Sequence, residues 1–162
     1  MKKIISAAIA LLIISVSSLS AQNIQKMYER YSGEKGVSSV YISPVMFKLM
    51  KSLPVMEIGN KNVQMAELIQ SFNGMYILDV ENPTVSKKMS EEVKSWLDKG
   101  TYETLMEAKE EGESVKICIR QEKDVIKEFI MFSQETGPSP ETALIYISGA
   151  IKASDLSKII QQ

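Results

Sequence analysis

The sequence predicts an α+β domain, with a single, mostly antiparallel sheet of about five strands and helices packed mainly on one face. Three observations lead there. Apolar residues recur at 3.6-residue spacing in several segments of the first hundred residues, most cleanly over 85–97. Three strand-like runs then follow in close succession at 114–122, 125–133 and 142–148, and the short turns between them favour antiparallel pairing. Helices interleaved with strands and closed by a run of strands fit one sheet carrying its helices mainly on one side.

The chain opens with Lys2 and Lys3, an almost wholly apolar run over 4–16, and mostly small residues closing at Ala21. This is the layout of a secretory signal peptide, so the exported protein is expected to begin at or near Gln22 and to work in the periplasm or cell envelope. The apolar run is about 13 residues, short of the roughly 20 that cross a bilayer, so no transmembrane span is expected. Residues 22–162 remain as a single domain of 141 residues, enough for a self-sufficient core.

Within that domain, 23–31 reads as a short helix presenting Ile24, Met27 and Tyr28, stopped by Ser32-Gly33. A strand follows over 37–42. Ser43-Pro44 then starts a helix with a capping hydroxyl and a proline in its first turn, with Met46, Phe47, Leu49, Met50 and Leu53 as its apolar face. Helical spacing recurs over 63–72, and 75–80 reads as a buried strand. Asn82-Pro83-Thr84 opens the helix at 85–97, whose Val85, Met89, Val93, Trp96 and Leu97 form one stripe ended by Gly100, with Lys88 and Glu92 expected outside it. A second, shorter helix is expected over 101–110 from Tyr102, Leu105 and Met106. The strand at 125–132 is apolar in both phases and so is expected to be central or doubly covered. Ser154-Asp155 caps a final helix carrying Leu156, Ile159 and Ile160.

Composition narrows the function. The signal takes two of the 19 basic residues and none of the 20 acidic ones, leaving 17 against 20 and a net charge of about −3, which argues against nucleic acid. Histidine is absent. That removes the commonest general base and metal ligand and any Ser-His or Cys-His nucleophile. The lone Cys118 cannot form an intramolecular disulfide, so the fold rests on its core. It alternates with Lys116 and Arg120 on one strand face, where two cations would lower a thiol pKa; a small, half-buried strand residue is the plainer reading.

Carboxylates are the remaining material for acid/base or metal chemistry. The pairs Glu91-Glu92, Glu110-Glu111 with Glu113, and Asp79 with Glu81 read as solvated surface, and Asp79 to Asn82 lacks the spacing of a calcium loop. The glycines do not cluster as a phosphate cradle. Tyr41, Tyr76 and Tyr146 fall in three different predicted strands, where a sheet could gather them into an aromatic surface for a sugar or peptide, although tyrosine is also ordinary in strands. Nine methionines remain after the signal; their helical spacing points to core packing, and an adaptable groove is the other use of that residue. No catalytic, cofactor-binding or metal-binding residue is assigned.

Several segments carry a family resemblance: 40–47 (VYISPVMF), 72–78 (FNGMYIL), 99–106 (KGTYETLM), 147–151 (ISGAI) and 155–159 (DLSKI). In this order they resemble the small exported proteins of Bacteroides-type bacteria grouped as domain-of-unknown-function family 4252. The resemblance spans nearly the whole exported chain and implies the fold and the address, with no catalytic residue to transfer. Many members look like lipoproteins with a cysteine just after the signal, whereas Gln22 follows Ala21 here, so no lipid anchor is expected.

The expected function is a non-catalytic envelope domain that binds a protein, a peptide or its own copy through a sheet face. A carboxylate-dependent envelope enzyme such as a glycan hydrolase would instead need two acids facing each other across a cleft. A carrier of small apolar ligands would need a large pocket lined by methionines.

Overall fold

The computed structural model describes residues 19–52 and 71–152. Nine elements follow in chain order: α1 (Leu19–Tyr31), β1 (Val37–Ile42), α2 (Pro44–Ser52), β2 (Phe72–Val80), α3 (Pro83–Lys99), β3 (Glu103–Glu110), β4 (Glu113–Glu122), β5 (Val125–Glu135) and β6 (Thr142–Lys152). The strands form one six-stranded antiparallel sheet in the order β1-β2-β6-β5-β4-β3.

The sixth strand is β3, where the sequence predicts a helix over 101–110. Tyr102, Leu105 and Met106 have helical spacing, but the segment is joined to β4 by a turn at Glu111-Gly112, and Gly112 takes φ +85°, a conformation that costs other residues. Hairpin pairing with β4 then satisfies the backbone along one edge, and this tertiary partner overrides the weak local preference. Helical spacing over 63–72 also meets a correction at its end, because Phe72 begins β2; positions 63–70, residues 1–18, where a signal peptide is expected, and residues 154–160, where a final helix is expected, lie outside the described residues.

α3 follows its sequence signals closely. Asn82 accepts at Oδ1 from the Thr84 and Val85 amides, its Nδ2 donates to the Lys35 carbonyl, and Gly100 closes the helix with its amide on the Trp96 carbonyl. One cluster of buried side chains joins Ile24, Met27 and Tyr31 of α1 to Met89, Val93, Trp96 and Leu97 of α3, and both sets to Leu78, Ile130, Phe132, Leu144 and Tyr146 of the sheet. A second cluster joins Phe47 of α2 to Phe72, Ile119, Ile126 and Ile151; bulges between Phe72 and Gly74 and between Ile126 and Glu128 turn Phe72 and Ile126 away from the first-cluster residues Leu78 and Ile130 of the same strands. Glu92 is half-buried rather than outside, accepting from Arg30 Nη1 at 2.7 Å and from the Tyr31 hydroxyl at 2.9 Å.

Among the described side chains of α1, Ile24, Met27 and Tyr31 enter the core. Gly149 is a close backbone approach, since a Cβ there would lie 2.6 Å from the Ser71 carbonyl oxygen.

Candidate functional site

Registration of the strands decides which side chains meet. Tyr41, Tyr76 and Tyr146 stand directly opposite one another on β1, β2 and β6. Tyr41 stacks on Tyr76 with ring centres 4.6 Å apart, Tyr28 of α1 meets Tyr76 edge-on at 5.2 Å, and the series continues through Tyr146 to Trp96 and Tyr102. The sequence offers an aromatic surface for these three only as the alternative to ordinary strand tyrosines. The structure gathers them but covers most of them with α1 and α3: Tyr146 is buried, Tyr76 is half-buried, and Tyr41 is 46% exposed. Burial first, and then the neighbouring Tyr41, push the Tyr76 hydroxyl up to about 12.

Beyond Tyr146 on the same face sits the one buried carboxylate among the described residues. Glu128 is 3% exposed; its Oε1 accepts from Arg120 Nη2 at 2.8 Å and its Oε2 from the Tyr102 hydroxyl at 2.7 Å, while Arg120 Nη1 reaches Glu122 at 2.7 Å. Burial works against the Arg120 charge, but its hydrogen bonds to Glu128 and Glu122 outweigh burial and raise its pKa. The buried Tyr146 hydroxyl has no hydrogen-bond partner among the described residues; burial, followed by the nearby Glu128 charge, pushes its ionisation far above the ordinary range. This arrangement holds a charge pair inside the core. Both Glu128 oxygens are engaged from within the chain, and the carboxylates on Arg120 converge on one cation rather than facing each other across a cleft.

Sequence reading placed Arg120 beside Cys118 and missed Glu128. A signal was available: Glu128 is the charged residue in sequence phase with the apolar Ile130 and Phe132, which share its face of β5, whereas a bulge between Ile126 and Glu128 turns Ile126 to the other cluster. Cys118 is 1% exposed with its Sγ 3.8 Å from the Thr104 hydroxyl, which is the environment of a packed thiol. Glu91 and Glu110, Glu111 and Glu113 are exposed; the last three surround the β3–β4 turn rather than a helix end. Asp79 and Glu81 are exposed, and no group of three or more acidic or cysteine side chains among the described residues could hold a metal ion.

The opposite face carries a different feature. Val40, Ile77, Ile145, Met131, Ile117 and Met106 stand opposite one another in sequence across all six strands, forming one apolar row from edge to edge. The next row, with Ile42, Met75, Ile147 and Phe129, packs against the second cluster, where Phe47 of α2 sits. The first row is more open: its four central residues are half-buried, while Val40 and Met106 at its ends are each 47% exposed. On its other side the floor drops to Ala143, Ser133 and Val115 in a shallow depression of about 290 Å³, edged by Asp79, Glu113, Glu135 and Glu141.

These features define a single-sheet α+β domain whose described residues combine a sealed polar pair on one face with an apolar row on the other. The chain belongs to the family described as domain of unknown function DUF4252, whose model matches residues 31–159. No curated protein and no solved structure matches it. No helix among the described residues is long and apolar enough to cross a membrane.

Proposed function

We propose that this chain is a non-catalytic, exported cell-envelope domain that binds a protein or peptide through the sheet face opposite α1 and α3. In this reading α1 and α3 form the helical cover of one face, and the apolar row on the other face is the contact surface. The observation that carries it is the row itself, since apolar side chains in line across six strands are ordinarily covered, and soluble domains expose contiguous apolar surface mainly at binding sites. The acidic edge of the adjoining depression adds polar groups at the rim, as interfaces commonly have. Export is supported by the signal-like pattern of residues 1–21.

A photo-crosslinking side chain at Val40 or Met106, compared with one at the exposed Lys88 of α3, tests the reading in the envelope of intact cells. Identified adducts to another protein are expected from the first two positions and not from Lys88. Equal labelling from all three, or none from Val40 and Met106, would overturn it.

A further inference from the structure

The β3 edge has properties the face reading does not use. All eight residues of β3 are exposed, its inner side pairs with β4, and it ends the sheet. A long open edge strand offers unpaired backbone groups to any other strand, and charged side chains usually guard it. Here the charges are arranged so that they discriminate between registers.

Glu107 and Lys109 lie on the same side of the sheet, opposite Lys116 and Ser114 of β4. Consider a second copy adding antiparallel to β3 about a two-fold axis. With the axis at Glu107, the two Glu107 carboxylates face each other; with the axis at Lys109, the two ammonium groups do. With the axis at Ala108, each Glu107 faces the Lys109 of the other copy, and Glu107 lies between that lysine and its own Lys116. On the opposite side of the sheet the axis then carries Ala108 against Ala108, flanked by Val115 of each copy, small enough for close approach. The Glu107–Lys109 ion pair within one strand, at 2.9 Å with both side chains well exposed, can be exchanged for the two cross-copy pairs without burying either charge.

We infer that β3 is a homodimer edge, joining two copies antiparallel about Ala108 into one continuous sheet. A self-complementary edge of this kind gives a closed isologous pair rather than a filament. Its ladder runs only from Met106 to Glu110, so the association is of the weak, small-interface class, with a dissociation constant on the order of 10–100 μM.

Light scattering on the chain from Gln22 onward at about 300 μM, roughly three- to thirty-fold above that constant, provides the test. Wild type is expected at about 1.7 to 1.9 times the monomer mass. Lys109→Glu alone places glutamates opposite each other, and Glu107→Lys alone places lysines opposite each other, so each single variant should run as a monomer. An equimolar mixture of the two should recover the dimer, because every facing pair is then opposite in charge. Ala108→Asp, which sets two carboxylates on the axis, should also give a monomer. Unchanged circular dichroism in each variant shows that the fold is kept. A monomeric wild type, single variants that remain dimeric, or a mixture that stays monomeric would overturn the inference. None of these outcomes depends on an envelope partner, so failure here is separate from failure of the face reading.

Discussion

Removing the Glu128 carboxylate should cost more than any surface change in this domain. At 2.8 Å and an effective dielectric near 20, its attraction to Arg120 is about 6 kcal/mol. Desolvating the two charges costs several kcal/mol each, so the intact pair contributes little net stability. Truncation is different: Glu128→Ala leaves the largely buried Arg120 guanidinium without its main counter-charge and removes the acceptor of the Tyr102 hydroxyl bond. Such uncompensated charges typically cost 3–5 kcal/mol, and retention of Glu122 on Arg120 places the expected loss near the lower end, about 3 kcal/mol. Urea unfolding, read at unchanged slope, measures it. The double variant Arg120→Met with Glu128→Leu removes both charges and should be more stable than Glu128→Ala. A loss under about 1 kcal/mol for Glu128→Ala, or a double variant less stable than the single, would refute the argument.

Trp96 packs its ring against Tyr102 and Tyr146, so Trp96→Ala should cost roughly 3–5 kcal/mol in the same assay, while Lys88→Ala should stay within about 0.5 kcal/mol. Cys118→Ser should keep the fold at a cost on the order of 1–2 kcal/mol, and the native thiol should resist alkylation at neutral pH until the protein is unfolded. The Tyr76 hydroxyl, raised from 10.0 to about 12, favours the folded state while it is protonated; its contribution is complete below pH 10 and is lost as pH rises towards about 12. Unfolding midpoints measured across that interval should therefore fall, and the fall should be smaller in Tyr76→Phe.

Local chemistry made some elements readable and left others to the tertiary fold. The α3 helix announces itself through Asn82, Pro83, a stripe of five apolar residues and Gly100, all acting within the segment. β4, β5 and β6 were legible from β-branched content and short connections. β3 was not, because its eight residues bury no side chain and it is held by pairing with β4, a partner that periodicity does not encode. The gathering of Tyr41, Tyr76 and Tyr146 was legible as an option only, since it depends on strand order and on register to the residue. The apolar row could not be seen either, because it requires six strands to be aligned before its members become neighbours. The Glu128–Arg120 pair shows the same limit: the two residues lie eight apart and meet only when β4 and β5 pair in this register.

If the apolar row is the partner-facing surface, methyl NMR on the chain from Gln22 onward with labelled methionines, titrated with envelope extract from the source cells, should register contact there. Met106 and Met131 lie on the row, whereas Met27 and Met89 are enclosed between helices and sheet. Selective broadening or shift of Met106 and Met131 is expected with Met27 and Met89 unchanged, and the Val40→Lys, Ile117→Lys variant should lose that response. A uniform change at all four methyls, or no change at Met106 and Met131, would contradict it.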